Sequence, residues 1–177
     1  MIITTQRLKI IPMSFEYLHD LHKLLSDREL TKFMVFNPKE SIEETKAQIQ
    51  KSIDESPKEH PVFLDFAVMS DNTLVGDLSL YFFENDPHAA EFSWIISPSN
   101  AGKGYAFEAA KALMEYYSQH KGITRFIAQC DSENIPSIRL IEKLGLKLID
   151  SGGTRFNRSA PNIERTENTY ELILSPS

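Results

Sequence analysis

The stretch Trp94-Ile95-Ile96-Ser97-Pro98-Ser99-Asn100-Ala101-Gly102-Lys103-Gly104-Tyr105-Ala106-Phe107-Glu108 decides the fold of this chain. An apolar segment ends at a turn with two glycines, and apolar residues at helical spacing begin directly after that turn. The pattern predicts a buried strand, a tight turn and a helix. The first amides of a helix are unpaired and carry the positive end of the helix dipole, so this turn is typical of a phosphate-binding site.

Two common phosphate-binding motifs do not fit this turn. The dinucleotide fingerprint G-x-G-x-x-G needs a third glycine at the position of Phe107. The Walker loop needs Ser or Thr after its lysine, where Gly104 stands, and it begins with a glycine that is absent here. Glycine pairs at strand-to-helix turns also serve backbone geometry alone. From the turn itself, a structural role for Gly102 and Gly104 therefore remains open.

The flanking segments predict an alternation of strands and helices. The predicted elements are a strand at 6–11, a helix capped by Ser14, a helix from Ser41 (with Glu44 in a capping box) to about Ile53, antiparallel strands at 63–69, 74–82 and 89–96, a helix at 105–120, a strand at 125–130, a short helix after Asn134, and strands at 146–150 and 169–174. A strand-helix-strand unit around the glycine turn predicts one parallel pair. We therefore predict an α+β (mixed α/β) fold in one domain, residues 1–177.

Composition narrows the class of protein. The 177 residues include 19 Lys and Arg against 25 Asp and Glu, a net charge of −6. This balance argues against nucleic-acid binding, and it requires an anionic cofactor to be attracted locally. The single cysteine, Cys130, excludes an internal disulfide and a Cys-rich metal site. Without a signal peptide or a run of about 20 apolar residues, we expect a cytoplasmic protein that binds neither membrane nor metal.

Two motifs in the correct order and spacing resemble one family. The segment 101–109 looks like the acyl-CoA pyrophosphate loop of the GCN5-related N-acetyltransferases (GNAT), whose signature is Gln/Arg-x-x-Gly-x-Gly/Ala. Residues 134–146 are similar to the family's Asn-x-x-Ser…Glu-Lys-x-Gly-Phe segment. Residues 5–10 and 90–95 resemble the ribosomal-protein N-terminal acetyltransferase branch, which is RimJ/RimL-like. The resemblance covers residues 5–174.

The resemblance implies a GNAT fold. Such a fold has a mixed, mostly antiparallel sheet of six to seven strands flanked by about four helices. Its cofactor cleft lies where two parallel strands splay apart, here the strand that contains Trp94 and the strand that begins near Arg125. The implied reaction is transfer of an acetyl group from acetyl-CoA, as co-substrate, to a primary amine by direct attack.

The resemblance also implies the residues that hold acetyl-CoA. They are Trp94, Ile95, Ile96, Ala101, Gly102, Lys103, Gly104, Tyr105, Ala106, Asn134, Ser137 and Lys143. Backbone amides near Ile95 and Ile96 would bind the pantetheine and the developing oxyanion. Asn134 would bond the pantetheine or an ordered water, or serve as a helix N-cap. Lys143 could meet the CoA 3′-phosphate or face solvent.

The chain departs from the family pattern at two positions. Ala101 replaces the Gln or Arg that opens the signature, which removes one phosphate contact. Ile141 stands where many members have a tyrosine proposed as general acid. A thiol has a pKa near ~8.5, so at pH 7 its protonation need not be tightly coupled to departure. Ser137 or water could supply this proton, and Ser137 could equally be an ordinary residue of an early helical turn.

Direct attack requires a neutral amine, so we predict that a carboxylate or a water relay accepts the proton. Glu91 is the first choice and Asp77 the second, although either could simply be an exposed strand residue. At pH 7 on the order of a tenth of a free α-amine is neutral, against about one lysine in a few thousand. A site without a strong acid-base pair therefore favours the α-amine of a protein N-terminus.

Two alternatives remain at this stage. The acceptor could be a small amine such as a polyamine or an aminoglycoside, or the chain could be a non-catalytic module that senses acyl-CoA. We expect the acceptor to contact the first two helices and the loop from Gly152 to Arg165. We expect a monomer or a homodimer. His19 and His22 lack a third nearby ligand, so neither is predicted to bind a metal.

Overall fold

The structure is a computed structural model that describes residues 1–156 and 164–175. Its strands are β1 (Ile3–Thr4), β2 (Lys9–Pro12), β3 (Phe63–Ser70), β4 (Thr73–Phe83), β5 (Asp86–Ile96), β6 (Arg125–Asp131), β7 (Lys147–Phe156) and β8 (Glu164–Ile173). Its α-helices are α1 (Leu18–Ser26), α2 (Ile42–Glu55), α3 (Tyr105–Lys121) and α4 (Ile135–Lys143). Short 3₁₀ turns precede α1 at Phe15–Tyr17 and α3 at Pro98–Asn100.

The eight strands of the described residues form one sheet in the order β1-β2-β3-β4-β5-β6-β8-β7. Neighbouring strands are antiparallel except β5 and β6, which are parallel and are connected along the chain by α3. The predicted mixed, mostly antiparallel fold is confirmed. The sheet has one strand more than we predicted, because Ile3–Thr4 pairs with residues 9 and 10 as a short edge. The strand predicted at 6–11 accordingly begins only at Lys9.

Helices cover both faces of the sheet because strand side chains alternate between the faces. One core cluster joins Phe66, Leu78 and Phe92 of the strands to Leu113 of α3 and Ile141 of α4. The other joins alternate strand residues such as Ala67 and Ile95 to apolar residues of α1 and α2. Thus α3 and α4 lie on one face of the sheet, and α1 and α2 lie on the other.

Local turn signals were predicted with mixed success. The hairpin between β3 and β4 turns through Asp71 and Asn72, whose φ angles of 47° and 63° fit the predicted tight turn. Gly122 ends α3 at a φ of 69°, as predicted for a C-terminal glycine. The predicted caps were wrong: the side chains of Ser14 and Ser41 make no capping hydrogen bond. Glu44 instead accepts a hydrogen bond from the amide of Glu40 at 2.8 Å.

The last two strands are longer than the sequence predicted. Most of the segment that we expected to be a loop belongs to β7 and β8, which pair as far as Phe156 and Glu164. Glycine and charged residues hide this pairing, and β7 accommodates them through irregular register at 148–150 and 151–153. Residues 157–163 of the predicted acceptor loop lie outside the described residues.

Candidate active site

The glycine turn forms an exposed loop at the start of α3. Gly102 and Gly104 have φ angles of 76° and 80°, a region in which other residues are strained. The first amide of α3 that bonds back along the chain is that of Glu108, which donates to the carbonyl of Gly104 at 3.1 Å. The amides of residues 104–107 therefore have no intrahelical acceptor. A Cβ atom on Gly102 would meet nothing within 4 Å, so space above the loop is open for a phosphate group.

The side chains of Arg7 and Glu108, neither of which was predicted as a site residue, hold this loop. The Arg7 guanidinium donates from Nη1 to the carbonyl of Lys103 at 2.9 Å, and from Nε to Oε2 of Glu108 at 2.7 Å. Lys103 itself donates from Nζ to Oδ1 of Asn100 at 2.9 Å. Arg7 could not be assigned to the site from the sequence, because no local signal relates a residue between the first two strands to a loop near residue 103.

The predicted splay between β5 and β6 is confirmed by their pairing. The two strands pair only at three positions, the last of which joins Glu91 to Ile127. Beyond that position β5 remains paired with β4 as far as Ile96, while β6 follows β8 as far as Asp131. A gap therefore opens between the two halves of the sheet, next to the glycine loop.

Backbone groups of β5 line this gap. On one side of the strand, the His88 carbonyl accepts from the amide of Thr124, just before β6. On the other side, the amide of Ser97 donates to the carbonyl of Val75 in β4. Since peptide groups alternate along a strand, those of Trp94 and Ile96 face the gap and those of Ile95 face β4. We predicted that amides near Ile95 and Ile96 face the cofactor. In the structure the amide of Ile96 faces the gap, that of Ile95 does not, and the amide of Trp94 faces the gap as well.

The second predicted motif lies at the start of α4. Oδ1 of Asn134 accepts a hydrogen bond from the amide of Ser137 at 3.4 Å, so Asn134 caps the helix. Ser137 is half-buried in the first turn, whereas Ile141 is fully buried in the core. Lys143 lies at the other end of α4, where its Nζ is 4.3 Å from the centre of the Phe107 ring. It borders a groove of about 390 Å³ between α3 and α4.

Glu91 lies at the position where the strands separate, on the face of α1 and α2. It shares this face with Ser93 and Ile95 because strand side chains alternate. Its cross-strand partner in β4 is Tyr81, and the next pair on the same face is Ser79 with Ser93. Glu91 is half-buried. A polar strip therefore runs along the α1 and α2 face up to the gap.

The second candidate base, Asp77, is buried one strand away from the gap. Its side chain is hydrogen-bonded to that of Asp65, and the two residues are 4% and 1% exposed. Asp65 also accepts hydrogen bonds from Ser79 at 2.8 Å and Gln48 at 2.9 Å, whereas Oδ1 of Asp77 has no partner among the described residues. Burial and the neighbouring Asp65 charge raise the pKa of Asp77 well above its ordinary value. Of the two carboxyl groups, Asp77 is the one whose protonated form its surroundings favour more strongly.

We predict that Asp77→Asn stabilises the protein at neutral and alkaline pH. Because the pKa of Asp77 is raised in the folded state, the contribution of this group to stability is full at low pH and is lost as pH rises above about 4. The asparagine amide would donate to Asp65 permanently, so the unfolding free energy at pH 8 should rise by about 1–2 kcal/mol. Urea unfolding from pH 5 to 9 measures this, and the slope of stability against pH should flatten.

Asp65→Asn is the matched control for this prediction. It places an amide where Ser79 and Gln48 both donate, so it should destabilise the protein at every pH. Equal effects of the two substitutions, or an unchanged pH slope for Asp77→Asn, would contradict the assignment of the proton to Asp77.

Arg165, near the start of β8, lies beside the end of β6. Its Nη1 lies 3.4 Å from Oδ2 of Asp131 and 2.6 Å from Oε2 of Glu133. Its guanidinium carbon is 5.2 Å from the centre of the Phe33 ring, in the segment between α1 and α2. Among the described residues of the predicted acceptor loop, Arg165 therefore contacts the segment after α1.

A separate cavity lies away from these residues. It measures about 970 Å³ and is bordered by the start of β5, the end of α2 and the end of α3. It contains none of the predicted site residues. Among residues 1–156 and 164–175, no group of three or more His, Cys, Asp or Glu side chains could hold a metal ion. Within that same part of the chain, no helix has the length and apolar character needed to cross a membrane.

Known proteins share this arrangement. Residues 7–147 match the model of an acetyltransferase (GNAT) domain. The N-acetyltransferase YnaD of Bacillus subtilis is 33% identical over 148 residues, which are 82% of each chain. A spermidine N(1)-acetyltransferase of Escherichia coli is 28% identical over 79% of this chain and 73% of its own. The structure of RimL, a ribosomal L7/L12 α-N-protein acetyltransferase in complex with coenzyme A, superposes with a TM-score of 0.88, 21% identity and full coverage of both chains.

These matches agree with the splayed strands and the loop at the start of α3. The family model spans the segment from Arg7 to the start of β7, and so includes every predicted site residue. The predicted membership and the predicted enzyme class are thereby confirmed: the chain belongs to the GNAT family of N-acetyltransferases.

Proposed function

We propose that the protein transfers an acetyl group from acetyl-CoA to a primary amine in the gap between β5 and β6. The observation that carries this proposal is the end of β5–β6 pairing at Glu91 and Ile127, next to a helix start whose first amides lack intrahelical acceptors. A thioester bound there would lie along free strand-edge groups with its diphosphate at the loop. When bound, acetyl-CoA supplies the activated acetyl group.

Residues at the start of α3 and along the gap would bind acetyl-CoA. The amides of the 102–106 loop suit a diphosphate because several N–H groups converge there with the positive end of the helix dipole. The peptide groups of Trp94 and Ile96 suit the pantetheine amides and the oxyanion that develops at the thioester carbonyl. Asn134 caps α4 through Oδ1, and its side-chain amide nitrogen could donate a hydrogen bond to acetyl-CoA. Lys143 remains a candidate for the 3′-phosphate.

The acceptor would approach from the opposite face, where α1 and α2 lie. The attacking amine nitrogen forms a bond to the carbonyl carbon, the C–S bond breaks, and its electron pair leaves with sulfur. Glu91 is proposed to accept the amine proton, directly or through a water, because it lies at the start of the gap on this face. Asp77 is a poor candidate for this role, since it is buried against Asp65.

The departing thiolate needs no dedicated acid. The fully buried Ile141 cannot donate a proton, so we propose that water or the half-buried Ser137 protonates the sulfur. A thiolate with a pKa near ~8.5 is a good leaving group at neutral pH. The role of Ser137 is therefore to accelerate protonation rather than to permit it.

The preferred acceptor is the α-amine of a protein N-terminus. Such an amine reaches its neutral form more easily than a lysine or an aliphatic polyamine, and Glu91 is the only titratable side chain that we assign to amine deprotonation. A small amine is the second candidate, because Glu91, Asp131 and Glu133 together outnumber Arg165, the cation that pairs with the last two of them. The spermidine acetyltransferase among the relatives makes polyamines the first class to compare.

Acceptor screening tests the proposal. Purified protein is assayed for CoA release from acetyl-CoA with N-terminal peptides, spermidine, spermine and aminoglycosides. Faster turnover of peptides than of polyamines is expected, and the reverse order would replace our first acceptor with the second. Tight CoA binding without release on any amine would favour an acyl-CoA sensor, and the absence of CoA binding in calorimetry would overturn the whole proposal.

Glu91→Gln is predicted to lower kcat by about 100-fold, the size typical of losing a general base. The Kd for CoA should stay within about twofold, because the amide keeps the size of the side chain. The pH-rate profile should lose the inflection that belongs to the carboxylate. Glu43→Gln, on the exposed side of α2, is the control and should behave like the wild type. An unchanged pH-rate profile in Glu91→Gln would remove Glu91 from the mechanism.

A further inference from the structure

We propose that Arg7 is a positioning residue for the cofactor loop, which fixes residues 102–105 from the first strands and thereby sets the affinity for CoA. The inference rests on the proposed function, since it concerns the same loop. Arg7 does not contact the reacting atoms in this proposal. The affinity for acetyl-CoA therefore depends on the segment between β1 and β2.

The Arg7 guanidinium bonds the loop on two sides. Nη1 donates to the carbonyl of Lys103 at 2.9 Å, which lies between the two glycines of positive φ. Nη2 is 2.6 Å from Oε2 of Glu108, one turn into α3. The guanidinium carbon is also 4.8 Å from the centre of the Tyr105 ring, the first residue of that helix. One planar side chain therefore contacts the loop, the first residue and the first turn of α3.

Glu108 gives this arrangement a fixed anchor. Its Oε1 accepts from Thr5 Oγ1 at 2.5 Å and from the amide of Arg7 at 3.0 Å. Partial burial opposes ionisation of Glu108, but the hydrogen bonds from Thr5 and Arg7 outweigh it and lower the pKa. The carboxylate is thus ionised and held by backbone and side chain of the same segment. Arg7 is held at both ends, by its own amide and by its guanidinium.

The loop needs such support because of its composition. Glycines have more backbone freedom than other residues, and ordering them on ligand binding costs conformational entropy. Ala101 has no side chain that could brace the loop in the way the longer residues of the family signature could. A loop that is already ordered binds its ligand more tightly, because the ordering cost falls on folding rather than on binding. The Arg7 side chain is 43% exposed, so we assign its effect to loop geometry rather than to the strength of its ion pair.

The test compares Arg7→Ala, Arg7→Lys and the control Lys46→Ala, which removes an exposed cation of α2 that pairs with Glu43. For Arg7→Ala we expect the Kd for CoA and the KM for acetyl-CoA to rise about tenfold, while kcat at saturation stays within threefold. Arg7→Lys should recover part of the loss, because an ammonium keeps the charge but not the planar fork. Lys46→Ala should match the wild type within twofold.

Hydrogen exchange of the protein without CoA gives a second readout. In Arg7→Ala we expect the amides of residues 108–110 to exchange about tenfold faster, with α2 unchanged. A wild type that binds no CoA would refute the proposed function, and the exchange rates would still decide the role of Arg7. Unchanged exchange at the start of α3, a Kd for CoA within twofold of the wild type, or equal acceleration throughout the chain would each overturn the proposal.

Discussion

Replacing Gly104 by valine is expected to weaken CoA binding by at least about 100-fold. Gly104 adopts a φ of 80° immediately before α3, a conformation that a β-branched residue reaches only with strain. A Cβ atom at this position would also lie 3.5 Å from Nη2 of Arg7, on the guanidinium that braces the loop. The side chain would then either displace Arg7 or change the direction of the first amides of α3. Isothermal calorimetry with CoA measures the loss.

Gly122→Val is the matched control for this substitution. Gly122 also has a positive φ, 69°, but it ends α3 instead of starting it, and its nearest neighbour is Nδ1 of His88 at 3.8 Å. Both variants carry a similar backbone strain, so both should lower the melting temperature. Only Gly104→Val should lose CoA affinity beyond tenfold. Equal affinities in the two variants would show that the turn before α3 does not hold the cofactor.

Replacing Gly76 by alanine is expected to disrupt the β5 edge of the gap. A Cβ atom on Gly76 would lie 2.4 Å from Cδ1 of Ile96 and 2.5 Å from the carbonyl oxygen of Ile95. The Ile96 side chain can rotate away, but the Ile95 carbonyl belongs to the backbone and cannot. The strands β4 and β5 must therefore separate at their last paired position. We expect the free energy of unfolding to fall by about 3 kcal/mol, at the upper end of the usual cost of overpacking.

The same substitution should reduce the affinity for CoA by at least about tenfold, since it moves the peptide groups of Ile96. Gly153→Ala in β7 is the control: its Cβ would lie 3.4 Å from Cβ of Glu167, a contact that side chains commonly make. That variant should lose less than about 1 kcal/mol. Urea unfolding and calorimetry measure both quantities. A Gly76→Ala variant with the stability of Gly153→Ala would refute the close approach of the two strands.

Sequence patterns predicted most of the fold because their signals are local. The turn before α3, the hairpin at Asp71 and Asn72 and the glycine end of α3 each depend on the φ preferences of a few residues. The face of each helix and strand follows from the spacing of its own apolar residues. The patterns failed where polar residues occupy strands, as in the extension of β7 and β8, because charge and glycine resemble a loop until a partner strand supplies the pairing.

The candidate site could be predicted only in part. The residues of the loop and of α4 follow from two motifs, and the family model later covered both. The direction of the peptide groups at Trp94 and Ile96 could not be predicted, since it depends on the register of β5 against β4. The pairing of Asp65 with Asp77, which raises the pKa of Asp77, could not be predicted either, because the two residues belong to different strands and become neighbours only in the folded sheet.

The sequence by itself determined the order of strands and helices, the mixed fold, the glycine turn before α3 and the family, because each of these is written in residues close together along the chain. Only the tertiary structure decided where β5 and β6 separate, which peptide groups line the gap, and that Arg7 braces the loop through Glu108, 101 residues away. These features require contacts between distant segments. Such contacts form when packing and strand pairing fix the register, and no local pattern of residue types contains that information.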